Sequence, residues 1–352
     1  MSNKIYVTPS PYSWGYSPAS HQTIQDAMKF SNELGFRVIE LGKRLNVPLN
    51  PVTYYGCLYR WGKHAEVLLA TYPYICRPTR EYHCRRYETK LINNICKNNL
   101  SILYIIDLPI EQALASSKLG MIDEKCYQLE QIILESFDYL LVFNEKMKQN
   151  IQEKYSIEDD RFIQFEILDY SIDYIPDNKK TCFQPIRIVY AGSLSKNSSE
   201  WIHNFPHDSE IVLDLCGPGG NWMHRLKPNV FYKGLMPQSS FYDFLSKHHF
   251  GLIYRDFSDT NYYEYTSTSK FSAYMVAGLP ILCPSKFVYL SQLTEKYKVG
   301  LVFNEFKDIP FLMKKITKEN YNGIRTNCLS LGKKIKTGYF FKKAIRKVID
   351  VE

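Results

Sequence analysis

Lys270 stands near the start of the run SKFSAYMVAGLPILCP, beside Ser269 and two residues before Ser272. The run reads as a helix stopped by Gly278 and Pro280 and followed by a short apolar strand. A helix N-terminus is the positive end of the dipole, so a lysine there costs stability in isolation. An anion bound to the same amides reverses that sign, and neighbouring serines add donors. A second anion-binding chemistry is written at Gly192-Ser193-Leu194-Ser195-Lys196, directly after the strand-like run IRIVYA. A glycine after a strand lets a ligand approach the backbone, and Ser193 and Lys196 supply donors. A third glycine set, Gly217, Gly219 and Gly220 in CGPGGN, reads equally as a tight turn with no ligand. The run NVFYKG ends with Tyr232 and Gly234 before a loop whose backbone can read a flat base, and FGLIYRD carries Tyr254. The stretch 257–268, FSDTNYYEYTST, has no strand or helix pattern and is long enough to suspect function. It leads straight into Lys270.

Acid–base chemistry has fewer candidates. Asp107 follows the run SILYII and precedes Leu-Pro, so it reads either as a general base at a strand end or as the cap of a turn before Pro109. Glu81 and His83, in REYHCRRYE, are rivals for the same role. No Asp-x-Asp follows a strand, so no essential metal is expected.

These residues need elements to position them. Twelve β-branched or aromatic runs alternate with helical stretches. The first six are 4–8, 36–41, 66–72, 101–106, 139–143 and 162–168. The second six are 186–192, 210–217, 229–234, 250–256, 280–284 and 299–303. Helical periodicity falls on SHQTIQDAMKFSNELG, with Ser20 as N-cap and Gly35 past the end. It recurs in DEKCYQLEQIILESF, where Leu129, Ile132, Ile133 and Phe137 share a face, and in NEKMKQNIQEKY behind Asn144. In the second half it marks SSFYDFLSKH, SKFSAYMVAG, SKFVYLSQLTEKY and FKDIPFLMKKITKEN. Strands alternating with helices of this length predict an α/β chain with two parallel, doubly wound sheets. The polar, aperiodic stretch 171–185 is the expected join. The expected domains are 1–175, 184–335 and a basic C-terminal helix, 336–352, packing back across the junction.

The chain has 352 residues, enough for two domains, and 45% hydrophobic with 23% charged residues is globular composition. A net charge of +8 suits anionic partners without choosing among them. Nucleic acid is disfavoured, because basic residues do not form a stripe with interleaved aromatics outside the C-terminal helix. The nine cysteines contain no CxxC pair and sit in apolar or mixed runs, which reads as reduced thiols. The start MSNKIYVTPSPYSWG lacks a signal-peptide core, and no apolar run is long enough to span a membrane. The stretch LGKKIKTGYFFKKAIRKVID carries seven basic residues between Lys333 and Lys347, with Phe340, Phe341, Ala344, Ile345 and Val348 on an apolar face. It is read as a packed helix with a solvated basic side, with contact to anionic lipid as the other reading.

In order and spacing, IVYAGSLSK, LDLCGPGG, NVFYKG, FGLIYRD, SKFSAYMVAGLPIL and VGLVF resemble a group of bacterial GT-B glycosyltransferases. That group holds the glucosyltransferase extending O-glycans on streptococcal serine-rich adhesins and β-1,6-galactofuranosyltransferases of O-antigen assembly. WGYSPAS, DYLLVFNEKMKQNI, FEILDY and the C-terminal stretch are similar as well. The resemblance implies two Rossmann-like domains with a cleft between them, a UDP-sugar on the C-terminal domain and an acceptor on the N-terminal one. It places Lys270 on the diphosphate with Gly192, Ser193 and Lys196 near it, and Tyr232 and Gly234 near uracil. Tyr254, Ser269 and Ser272 join that donor set, and Ser20 and His21 approach the phosphates from the N-terminal domain. His21 reads equally as a polar residue near a helix start.

The chain departs from the group at three places. It has Ser267-Thr268-Ser269-Lys270 where Asn-Pro-x-Lys is usual, Ser193 where Asn is common, and Ile106-Asp107 where His-Asp is frequent. Many retaining members of the fold carry two glutamates around the Lys270 helix, and the corresponding residues here are Tyr265 and Ala273. The resemblance therefore points to inversion. The expectation is a metal-independent hexosyltransferase without a cofactor beyond its UDP-sugar. Its acceptor is a glycan, lipid-linked or protein-linked, and its place is the cytoplasm or the inner face of the membrane, with self-association open. A non-catalytic GT-B partner subunit and a UDP-sugar epimerase of the same fold are the alternatives.

Overall fold

A computed structural model describes residues 3–9, 18–41, 56, 59–60, 64–73, 90–115, 122–176, 184–256 and 261–350. The strands are β1 (Lys4–Pro9), β2 (Arg37–Leu41), β3 (Val67–Tyr72), β4 (Leu100–Ile105), β5 (Tyr139–Val142) and β6 (Phe162–Gln164). Six more follow: β7 (Ile186–Ala191), β8 (Ile211–Cys216), β9 (Val230–Tyr232), β10 (Phe250–Leu252), β11 (Ile281–Pro284) and β12 (Gly300–Phe303). The helices used below are α1 (Pro18–Glu33), α2 (Pro109–Ala115), α3 (Glu124–Ser136), α4 (Glu145–Tyr155) and α5 (Gln238–Ser246). They continue with α6 (Ser269–Val276), α7 (Val288–Tyr297), α8 (Ile309–Lys315), α9 (Lys318–Lys336) and α10 (Tyr339–Ile349).

The twelve strands fall where period and composition predict them, but several are shorter. The expected 162–168 pairs only as Phe162–Gln164, and 250–256 only as Phe250–Leu252. The chain splits into two compact units, 1–169 with 259–266 and 338–352, and 170–258 with 267–337. Each holds one parallel sheet, in the orders β2-β1-β3-β4-β5-β6 and β12-β11-β10-β7-β8-β9. In both, the order reverses beside the first strand of the unit, and ligands of such sheets bind outside the carboxyl ends at that reversal. In the second unit the reversal lies between β7 and β10.

Local signals set most helix starts. Asp123 and Asn144 cap α3 and α4 by accepting from the amides of Cys126 and Met147. Three sequence expectations change. Helix α1 begins at Pro18, so Ser20 lies inside its first turn and is not the cap; proline's fixed φ favours the first helical position. On α3, Ile132 is 40% exposed while Leu129, Ile133 and Phe137 are buried, because the core-facing stripe turns toward Leu134. The expected single helix from Phe306 is a 3-10 turn, then α8, then a separate nineteen-residue α9 capped by Thr317.

Helix α10 follows α9 after a break at Gly338, where φ is +71° and a Cβ would meet the Phe30 ring at 2.4 Å. Phe340, Phe341, Ala344, Ile345 and Val348 are all buried. Phe341 packs edge-on to Tyr104 at 5.0 Å. Each large side chain so buried contributes about 2 kcal/mol, so the first unit's core, not a lipid phase, takes the apolar face. Lys343, Arg346 and Lys347 stay exposed. Among the described residues, no helix is long and apolar enough to cross a membrane.

Asp169 holds the start of α10: its Oδ2 accepts from the Phe341 amide at 2.6 Å. Burial pushes its carboxyl well above the ordinary range and nearby Asp26 adds to this, against the Phe341 and Phe340 amides and Lys342. A carboxyl raised on folding stabilises below its ordinary pKa and loses that contribution as pH rises through the folded value. Asp169→Asn keeps an acceptor and cannot ionise. Its unfolding free energy relative to wild type should therefore increase between pH 4.5 and pH 8, measured by urea unfolding at both. A difference that stays constant with pH would refute the protonated Asp169.

Candidate functional site

Helix α6 is clamped onto the β7/β10 reversal by one phenol. Tyr274 Oη accepts from the Ala191 amide at 3.0 Å and donates toward the Leu252 carbonyl at 3.3 Å. Its ring lies so close to Gly251 that a Cβ there would be 2.5 Å away. Lys270 lies four residues earlier, on the same helix face. Thr268, not one of the serines, caps α6 by accepting from the Phe271 amide at 3.3 Å.

The Lys270 side chain crosses Gly192, the residue after β7. A Cβ on Gly192 would sit 2.4 Å from Lys270 Cε and 2.9 Å from Nζ. Lys270 Nζ also lies 5.3 Å from the centre of the Tyr190 ring. The structure thus brings together Gly192, Lys270 and, through the Tyr190 hydroxyl bonded to its carbonyl at 3.3 Å, Ser193. Ser269 and Lys270 are half-buried, Lys196 is exposed at the start of a single helical turn, and Ser272 is fully buried.

Other predicted residues serve the loops themselves. Gly217 has φ +146°, and a Cβ on it would be 1.8 Å from the Gly192 carbonyl oxygen. Its amide donates to the Gly234 carbonyl at 2.9 Å, and its carbonyl accepts from Tyr232 Oη at 3.0 Å. Gly219, at φ +87°, lets the Leu194 amide reach the Pro218 carbonyl at 2.8 Å. This second glycine loop is therefore the mould against which Gly192–Ser195 is cast. Tyr254 lies at 5.2 Å from Trp201 and 4.5 Å from Phe306, and its hydroxyl accepts from Lys286 Nζ at 2.9 Å.

In the first unit, Asp107 follows β4. Its Oδ1 accepts from the Leu108 amide at 2.9 Å, as the turn reading requires, and also from the Tyr262 hydroxyl. Nearby on α3, buried Glu130 accepts from Tyr72 Oη and, at 2.6 Å, Tyr155 Oη. Burial pushes the Glu130 carboxyl up against those two bonds, and the Asp107 charge pushes it further. His21 is half-buried on α1, where Ser20 also lies. Glu81 and His83 lie outside the described residues. Among those described, no three His, Cys, Asp or Glu side chains gather as a metal site.

Two residues were missed by sequence reasoning. Tyr274 sits in a helix whose pattern gives no sign of its strand partners. Tyr262 lies in the stretch 257–268, whose length drew suspicion but whose partner is 155 residues away. Thr268, one step before the serines, carried an ordinary capping signal.

The two doubly wound units make the GT-B architecture of glycosyltransferases. Sucrose-phosphate synthase from Thermosynechococcus elongatus shares the fold, with a TM-score of 0.66 over 100% of both chains at 10% identity. Residues 188–348 match the family described as Glucosyltransferase 3-like, C-terminal domain. The chain is similar to Beta-1,6-galactofuranosyltransferase WbbI of Escherichia coli (strain K12), 22% identical over 63% of this chain and 66% of the relative. It is likewise similar to Glucosyltransferase 3 of Streptococcus gordonii, 27% identical over 45% of this chain and 47% of the relative. The matches thus span less than two thirds of either relative's own length, and they are the group its motifs resemble.

The two glycines separate in their expected consequences. Gly192→Ala meets chiefly the flexible end of Lys270, with the Tyr190 hydroxyl at 3.3 Å, so the unfolding temperature should change little while the ammonium is displaced. Gly217→Ala meets backbone at a left-handed φ and should destabilise by on the order of 3 kcal/mol. Thermal unfolding of both variants checks this, and equal losses would refute the division of roles.

Proposed function

We propose that the chain is an inverting, metal-independent glycosyltransferase. It moves glucose, galactose or galactofuranose from a UDP-sugar to a hydroxyl of a glycan acceptor in bacterial surface polysaccharide or glycoprotein assembly. The observation that carries this reading is Lys270 laid across Gly192 at the first turn of α6, beside the strand-order reversal. An ammonium at the positive end of a helix dipole suits a diphosphate. As the glycosidic bond to UDP breaks, negative charge grows on the leaving phosphate, where such donors are worth roughly 3–4 kcal/mol by analogy with oxyanion holes.

Asp107 is the proposed base, taking the proton of the acceptor hydroxyl as its oxygen attacks the anomeric carbon. The acceptor is lipid-linked or protein-linked, and the work is done in the cytoplasm or at the inner membrane face. The exposed Lys343, Arg346 and Lys347 of α10 supply charge for a peripheral contact with anionic lipid.

Calorimetric titration of UDP without added metal tests the donor site. Wild type should bind in the micromolar range, and Lys270→Ala at least tenfold more weakly. Folded wild-type protein that binds no UDP would sink the UDP-dependent reading.

A further inference from the structure

The inference concerns Tyr262, rests on the reading of Asp107 as the base, and goes beyond it. We propose that Tyr262 is a positioning residue that sets the orientation and proton affinity of Asp107. Tyr262 is buried, and its hydroxyl donates to the same Asp107 oxygen that accepts the Leu108 amide. Two donors of different origin on one carboxylate oxygen fix the plane of the group, which a single turn bond does not.

The tyrosine is itself held. Residues 259–266 belong to the first unit although the chain on either side belongs to the second. Asn144 Nδ2 donates to the Glu264 carbonyl at 2.8 Å, while Asn144 Oδ1 caps α4. Asn150 Nδ2 donates to the Tyr265 hydroxyl at 3.2 Å. Asn261–Glu264 forms a 3-10 turn packed on α2, the helix that Asp107 precedes. Two side chains thus grip the segment that presents one phenol to one carboxylate. The chain then continues through Ser267 into the α6 cap Thr268 and Lys270.

The phenol acts as a donor throughout the working range. Burial, with the Asp107 charge beside it, pushes Tyr262 well above an ordinary tyrosine. A hydrogen bond donated to a carboxylate favours its charged form and lowers its pKa. Among the described residues, the titratable groups near Asp107 include Tyr263 beside Tyr262, and Glu130 on α3 with its partners Tyr72 on β3 and Tyr155 on α4. Glu111 on α2 is paired with Lys154. Glu130 and Asp107 repel when both are charged, whereas the Tyr262 phenol donates to Asp107.

The test is the titration of Asp107 in protein carrying isotope-labelled aspartate Cγ, followed by NMR, with Asp107→Asn assigning the signal. In Tyr262→Phe the midpoint should rise by about one pH unit, a tenfold gain in proton affinity. Asn150→Ala, which loosens the same segment but keeps the phenol bond, should leave it in place. The acid limb of kcat/KM for sugar transfer should move with the titration in Tyr262→Phe. An unmoved midpoint overturns the inference about Tyr262. A moved midpoint with an unmoved rate profile overturns Asp107 as the base, and with it the catalytic role of the phenol.

Discussion

The second unit depends on one buried phenol at the place where its sheet changes direction. Tyr274 joins the Ala191 amide of β7 to the Leu252 carbonyl of β10, and Gly251 gives its ring room. This sets the rotation of α6 about its own axis. Lys270, one turn earlier, then falls on the first residue past β7, and that residue must be Gly192 for the side chain to lie there. The far side of α6 is tied just as closely, because a Cβ on Gly332 of α9 would be 2.3 Å from the Met275 carbonyl. A helix fixed on both faces leaves its first turn little freedom, which is what an anion site made of amides needs.

The two units handle buried acids differently. In the second, Asp214 on β8 is fully buried among Arg187 at 2.5 Å, His248 at 2.9 Å and Lys233 at 3.4 Å. Burial alone would raise its pKa, but His248 and Arg187 outweigh that and hold it below the ordinary value. A charge so paired ties neighbouring strands together, and removing one partner of such a pair typically costs about 3–5 kcal/mol. In the first unit, Glu130 has phenols instead of cations, and burial leaves its proton affinity high. A neutralised Asp214 suits a scaffold. Glu130, held by phenols, stays responsive to the charge of Asp107.

Much was legible in the chain. The alternation of β-branched runs and helical periods located the twelve strands of the described residues, and the glycine after β7 and the lysine at the α6 start, picked out by type, are brought together in the fold. Asn144 and Gly278 acted as written, one a cap and the other a left-handed stop at φ +64°. Other readings failed for local reasons. Ser20 was displaced as a cap by Pro18, and Ile132 shared a period with the buried stripe without sharing its contacts. The Tyr232 hydroxyl is bonded to the Gly217 carbonyl, and Gly217 packs closely on Gly192, neither of which the local pattern announces.

By itself, the sequence determined where the strands fall, that the sheets are parallel, and where a glycine and a lysine stand at element ends. Those properties are local, since period, capping and turn chemistry act over a few neighbouring residues. Only the tertiary structure decided the order of strands, and therefore that β7 and β10 meet at the reversal. It also decided that residues 259–266 and α10 pack with the first unit, and that Tyr262 reaches Asp107. Each of these joins groups far apart along the chain, where the choice of partner depends on how whole faces pack and which buried donors remain to be satisfied.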